Sequence, residues 1–132
     1  MNGLVLYIDD DQDNILVVQR LLKRARPDLQ LRTAMTGADG TRMAVDDQPA
    51  LILLDNRLPG TSGAQVLRQL AADPATAAIP VVILSGDSGK VTVRELLAAG
   101  AADFLAKPFD IHQLLAIIER YLHLPPPAAT KQ

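Results

Sequence analysis

The chain has 132 residues, 48% of them hydrophobic, with 13 Lys+Arg against 15 Asp+Glu and no cysteine. That length suits one domain with its own core; a formal charge of −2 argues against a basic nucleic-acid-binding surface, and the lack of Cys excludes disulfides, thiolate catalysis and Cys-rich zinc sites. No apolar run approaches the roughly 18 residues of a membrane span, and no charged-then-apolar leader opens the chain, so a soluble domain located in the cytoplasm is expected.

The first apolar run, Leu4–Ile8, has strand length. Ile15, Val18, Leu22 and Ala25 then mark one face of a helix. Arg20, Lys23, Arg24 and Arg26 cluster at its C-terminal end, where cations offset the dipole. A second strand is expected at Leu29–Ala34, followed by a helix that Thr36 and Asp39 could open. The third strand, Leu51–Leu54, is the most apolar and leads into the turn sequence Asn56-Arg57-Leu58-Pro59-Gly60. A short helix at about Ala64–Ala71 and a loop bracketed by Pro74 and Pro80 precede the fourth strand, Val81–Leu84. The next helix stops after Leu96–Ala99, where Gly100 can take a left-handed conformation. The fifth strand spans Ala102–Ala106, and an Asp110–Gln113 capping box opens a last helix faced by Ile111, Leu114, Leu115, Ile118 and Leu122. Strand and helix alternate throughout, which predicts an α/β fold, (βα)5, with a doubly wound parallel five-stranded sheet. Residues 1–123 are read as one domain, and 124–132, with Pro125-Pro126-Pro127, as a Pro-rich tail or linker.

In an open parallel sheet, ligands bind outside the carboxyl ends of the strands. Asp9, Asp10 and Asp11 follow the first strand, Asp55 the third, Ser85 the fourth, and Lys107, with Pro108, the fifth. Asp11 or Asp13 suits the N-cap of the first helix. An adjacent pair such as Asp9 and Asp10 serves capping poorly, and Asp55 precedes a turn rather than a helix. Asp9, Asp10 and Asp55 sum to −3 and Lys107 returns +1, so the cluster invites a hard divalent cation with oxygen ligands. Mg²⁺ fits best, since it takes one or two carboxylates, keeps waters and bridges to phosphate oxygens; Mn²⁺ is a substitute. The Lys107–Pro108 bond has access to a cis form that would aim the lysine back over the strand ends.

These residues closely resemble the receiver (response-regulator) domain of two-component signalling. The segments are Leu6-Tyr7-Ile8-Asp9-Asp10-Asp11, LILLDNRLPGTSG at 51–63, IPVVILSG ending at Gly86, and GAADFLAKPF at 100–109, in order over about residues 3–122. The resemblance implies the flavodoxin-like receiver fold, strand order 2-1-3-4-5, and a phosphorelay role. It implies that Asp55 is the phosphoacceptor, that Asp10, Asp55 and the Arg57 backbone carbonyl bind Mg²⁺ directly, and that Asp9 does so through water. Lys107 and Ser85 would bind the phosphoryl group, and Phe104 would be the switch aromatic. Arg57 and Asp87 occupy the positions that tune dephosphorylation in the family.

By the same resemblance, the donor is a phosphohistidine on a sensor histidine kinase or histidine phosphotransfer protein. His112 and His123 both look like surface helix residues, so the donor histidine must come in trans. The output surface would be the fourth helix, fifth strand and fifth helix, about Ser88–Phe109 plus the last helix, used for docking or for phosphorylation-dependent dimerisation. Neither direct nucleic-acid binding, membrane insertion nor turnover of an external substrate is expected. With no output domain after the last helix, the chain reads as a stand-alone receiver or a segment of a larger protein such as a hybrid kinase. Two alternatives stay open. A haloacid-dehalogenase-type phosphatase would use Asp9 and Asp11, but the chain is short for it, a later acidic motif is missing, and Asp55 goes unexplained. A receiver-like docking module that is never phosphorylated would usually lack an acid or the lysine, and all are present here.

Overall fold

Val-, Ile- and Leu-rich runs without polar alternation build the centre of the molecule, because only strands covered on both faces tolerate such sequence. A computed structural model, which describes residues 3–86 and 89–123, has a five-stranded parallel sheet. Its strands are β1 Leu4–Ile8, β2 Gln30–Ala34, β3 Leu51–Asp55, β4 Val81–Ser85 and β5 Asp103–Ala106. Between and after them lie α1 Gln12–Ala25, α2 Gly37–Asp47, α3 Gly63–Ala72, α4 Lys90–Ala98 and α5 Ile111–Leu122. The spatial order is 2-1-3-4-5, as in flavodoxin-like receivers. β3 and β4 are buried at every residue, whereas the edge strand β2 alternates exposed and partly covered positions. The Pro-rich stretch 124–132 lies outside the described residues.

Alternation along the strands splits the core in two. Val5, Tyr7, Leu51, Leu53, Val82 and Leu84 pack under α1 and α5, against Ile15, Val18, Leu114 and Ile118. Leu6, Ile8, Ile52, Leu54, Val81 and Ile83 face α2, α3 and α4, against Ala44, Val66, Leu67 and Leu96. On that second side α2 comes so close that a Cβ at Gly40 would sit 2.8 Å from Ile8 Cγ1, which is why a glycine faces the sheet there.

Capping residues set the helix starts. The Asp11 carboxylate accepts the N–H groups of Asp13 and Asn14, Thr36 accepts that of Asp39, and Asp110 with Gln113 forms the expected box. A second capping box, Ser62 with Gln65, opens α3 one residue before the predicted Ala64. The segment read as a plain turn is a small antiparallel ribbon, Arg57–Leu58 against Thr61–Ser62, closed at Gly60 with φ +72°. Gly100, at φ +119°, follows the end of α4 as predicted. β3 and β4 each run one residue further than their apolar runs, since Asp55 and Ser85 still pair in the ladder with Leu84 and Ala106.

Arg26 departs from its expected part as a cation at a helix end. It is only 7% exposed and lies beyond α1. Its guanidinium reaches Asp28 Oδ2 and Glu119 Oε2 of α5, both at 2.8 Å. The paired guanidinium holds the Asp28 carboxyl below the usual carboxylate range. Arg26→Ala leaves Glu119 without this partner and is expected to cost roughly 2–3 kcal/mol in urea unfolding. A loss within ~0.5 kcal/mol would place the pair among ordinary surface ion pairs.

Candidate functional site

The strand period carries the polar residues to one place. Asp9 continues the side-chain parity of Val5 and Tyr7, Asp55 that of Leu51 and Leu53, and Lys107 that of Leu105, so all three belong to the α1/α5 side. Ile8 is in register with Leu54, which sets Asp9 beside Asp55 at the carboxyl ends of β1 and β3. One carboxylate oxygen from each of Asp9, Asp10 and Asp55 lies within 4.8 Å of the others. Lys107 Nζ stands 3.5 Å from Asp55 Oδ1, and the Lys107–Pro108 peptide is cis. The Lys107 N–H also donates to the Ser85 carbonyl at 2.8 Å, tying the fifth-strand exit to the fourth. A cleft of about 690 Å³ opens above these groups, with Asp10, Asp55, Arg57, Ser85 and Lys107 in its wall.

The acids differ in surroundings. Asp10 is exposed, Asp9 has no exposed surface, and Asp55 retains 8%. Burial, and then the neighbouring Asp9 charge, push the Asp55 carboxyl above the usual range; Lys107 and the Arg57 N–H pull the other way. Asp9 is held by three donors: Tyr7 OH to Oδ2 at 2.5 Å, Asn14 Nδ2 to Oδ2 at 3.4 Å, and the Asp11 N–H to Oδ1 at 2.9 Å. Burial, reinforced by that bond to Asp9, raises the Tyr7 phenol far above its ordinary value. Ser85 is buried, and its Oγ accepts from Asn56 Nδ2 at 3.5 Å. Three carboxylate oxygens within ligand distance of one another, in a site whose formal charge stays negative after Lys107, match a hard, oxygen-seeking divalent ion.

Asp9, Asp10, Asp55, Ser85 and Lys107 are thus brought together as neighbours. The Arg57 side chain is exposed at the rim, and its N–H lies 3.4 Å from Asp55 Oδ1. Phe104 is half-buried against the α2–α4 side of the core and does not line the cleft. Asp87 and Ser88 lie outside the described residues, and with them one rate-tuning position and the start of the expected output surface. His112 and His123 are exposed and away from the cleft. Tyr7, Asn14 and Asn56 also contact these groups, and the sequence reading gives them no role there. Tyr7 could have been found by parity, two residues before Asp9 on one strand; Asn14 and Asn56 gave no such signal.

The family model for the response regulator receiver domain matches residues 5–119. The chain belongs to that family. This receiver domain is 37% identical over 116 residues to the response regulator PleD of Caulobacter vibrioides, which covers 88% of the chain and 25% of PleD. It is 32% identical to protein PilH of Pseudomonas aeruginosa over 89% of the chain and 96% of PilH. The chain therefore spans a quarter of one relative's length and nearly all of the other's. Among solved structures, it is similar to the receiver domain of a sensor histidine kinase from Pseudomonas aeruginosa PAO1, with a TM-score of 0.83 and 25% identity over 93% of this chain and 99% of that one. That crystal structure has a magnesium ion coordinated in its active-site cleft. Among the described residues of this receiver domain, no helix is long and apolar enough to cross a membrane.

Proposed function

We propose that this receiver domain is a phosphorelay switch, residues 1–123 forming the working unit and 124–132 a tail. In this reading Asp55 accepts a phosphoryl group from a phosphohistidine on a sensor histidine kinase or histidine phosphotransfer protein. The observation that carries it is the gathering of Asp9, Asp10, Asp55 and Lys107 around one open cleft, from strand ends far apart in sequence. A family likeness to a domain with magnesium in the same kind of cleft supports the choice of ion. Asp10, Asp55 and the Arg57 carbonyl would hold Mg²⁺ directly, with Asp9 behind a water. The ion supplies charge neutralisation for the transferring group.

The chain's own residues do the rest. An Asp55 carboxylate oxygen attacks phosphorus in line; the O–P bond forms as the P–N bond to the donor imidazole breaks, and the imidazole takes up a proton. Lys107, 3.5 Å from Asp55, moves its ion pair to a phosphoryl oxygen. The Ser85 hydroxyl, held near Asn56 before transfer, donates to another. That demand on Ser85, with Phe104 as the switch aromatic that the family resemblance implies, biases the α4-β5-α5 surface toward an active population for docking or dimerisation. Water later attacks phosphorus, the Asp55 O–P bond breaks, and inorganic phosphate leaves. The cycle resets a switch and turns over no external substrate of its own. Arg57 at the rim limits that water's entry.

The test is peptide mass spectrometry after acetyl phosphate treatment with Mg²⁺. Aspartyl phosphate is expected on Asp55. Label on Asp9 would favour a haloacid-dehalogenase-type hydrolase, and no label would favour a docking module. Against the hydrolase, Asp9 is fully buried and its oxygens are already occupied by three donors. In the same assay Arg57→Ala should shorten the life of the label; an unchanged lifetime removes Arg57 from the tuning role.

A further inference from the structure

Asp9 is fully buried, yet its carboxylate sits in the acidic cluster and is gripped from within the domain. A carboxylate offers about four lone-pair sites. Three donors take up most of them: the Tyr7 hydroxyl, the Asn14 amide and the Asp11 N–H. Tyr7 makes the shortest of these bonds, from a ring that is itself 1% exposed and wedged into the α1/α5 side of the core. The phenol cannot swing away without emptying its place in that core. Asp9 is therefore fixed in rotation and left with little capacity for a metal, while Asp10 beside it is exposed.

We propose that Tyr7 is a positioning residue that sets which cation the site prefers. This rests on the reading of the cleft as a divalent-metal site. Mg²⁺ is satisfied by one or two carboxylates and retained waters, whereas Ca²⁺ collects six to eight oxygens and uses carboxylates in bidentate fashion. By occupying Asp9 Oδ2, the phenol holds back the third carboxylate and keeps the site suited to the smaller ion. Removing only the hydroxyl frees Asp9 to ligate and rebalances the site toward the larger one. Partners of this kind, one bond behind a ligand, commonly shift metal affinity by 10–100-fold.

The experiment is calorimetric titration of the intact chain with Mg²⁺ alone and Ca²⁺ alone, for wild type, Tyr7→Phe and Asn14→Ala. Phe keeps the ring and its packing, and Asn14 lies outside the core, so at least one variant keeps the fold. The wild type is expected to favour Mg²⁺ over Ca²⁺ more strongly than either variant does. In Tyr7→Phe the Mg²⁺/Ca²⁺ affinity ratio falls by about tenfold, chiefly through tighter Ca²⁺ binding, and Asn14→Ala moves it the same way by less. A purely structural tyrosine would change the Tm of the metal-free protein and shift both affinities in parallel, which would overturn the proposal, as would an unchanged ratio. A spectroscopic arm uses Tyr121→Phe, which leaves Tyr7 as the sole tyrosine in a chain without tryptophan. Its ultraviolet difference spectrum should follow Mg²⁺ saturation; a silent spectrum with Mg²⁺ bound counts against the coupling. Failure of the wild type to bind either ion, or undiminished binding by Asp10→Asn, would instead overturn the metal reading beneath it.

Discussion

Asp55→Asn is expected to abolish acyl-phosphate formation and at the same time to stabilise the metal-free protein. The loss is total because the amide has no nucleophilic carboxylate oxygen, and no other acid in the cleft shares the position of Asp55 opposite Lys107. The gain follows from charge. Asp55 is 8% exposed and lies next to Asp9, and burial with that repulsion raises its carboxyl above the usual range against the smaller pull of Lys107. The native state therefore binds the Asp55 proton more tightly than the unfolded chain does. Stability falls as pH rises from the unfolded carboxylate value, about 3.9, through the raised native one. The amide variant does not titrate and escapes that loss. Its advantage should be absent in acid, grow across that window and level off above it, reaching about 1 kcal/mol, or ~3–6 °C in Tm at this chain length. Scanning calorimetry of both proteins across pH without divalent ions measures it. A variant that is less stable at neutral pH would mean that the Lys107 pair outweighs the carboxylate repulsion.

Chelation of divalent ions, or Asp10→Asn, is expected to slow acetyl phosphate labelling by roughly two to three orders of magnitude. Without the cation, the cleft presents the Asp10, Asp11 and Asp55 carboxylates to an anionic donor, against Arg57 and Lys107 in its wall. Mg²⁺ at about 100 times its Kd should stabilise the wild type by ~2.7 kcal/mol, and Asp10→Asn should lose most of that shift. Asp10 is the informative position because it is exposed, so its replacement disturbs no packing. Labelling that persists undiminished in excess chelator would remove the metal from the proposed mechanism.

The alternation of five apolar runs with five helical faces carried the fold into the sequence, because strands buried on both faces can hardly be written otherwise. The site was legible for a related reason: acids, a hydroxyl and a lysine each follow a strand end, where a parallel sheet gathers them. What escaped were the polar contacts running sideways from those positions. Arg26 looked like one more cation at a helix end until α5 brought Glu119 to it. Asn56 belongs to a turn sequence, and its reach to Ser85 depends on the pairing of β3 with β4. The ribbon at 57–62 carries no hydrophobic pattern of its own, so local period could not disclose it.

Residue order alone determined the layered α/β architecture, the two-sided core and the identity of the acids, hydroxyl and amine at the sheet's carboxyl edge, since each follows from periodicity and from position relative to a strand end. Only the tertiary structure decided how those groups differ. It buried Asp9 and left Asp10 in solvent, set Lys107 against Asp55, and gave Asp9 a tyrosine whose hydroxyl restrains it. The reason is physical: burial, register and hydrogen bonding are properties of the packed neighbours of a side chain, and those neighbours come from segments that no local pattern connects.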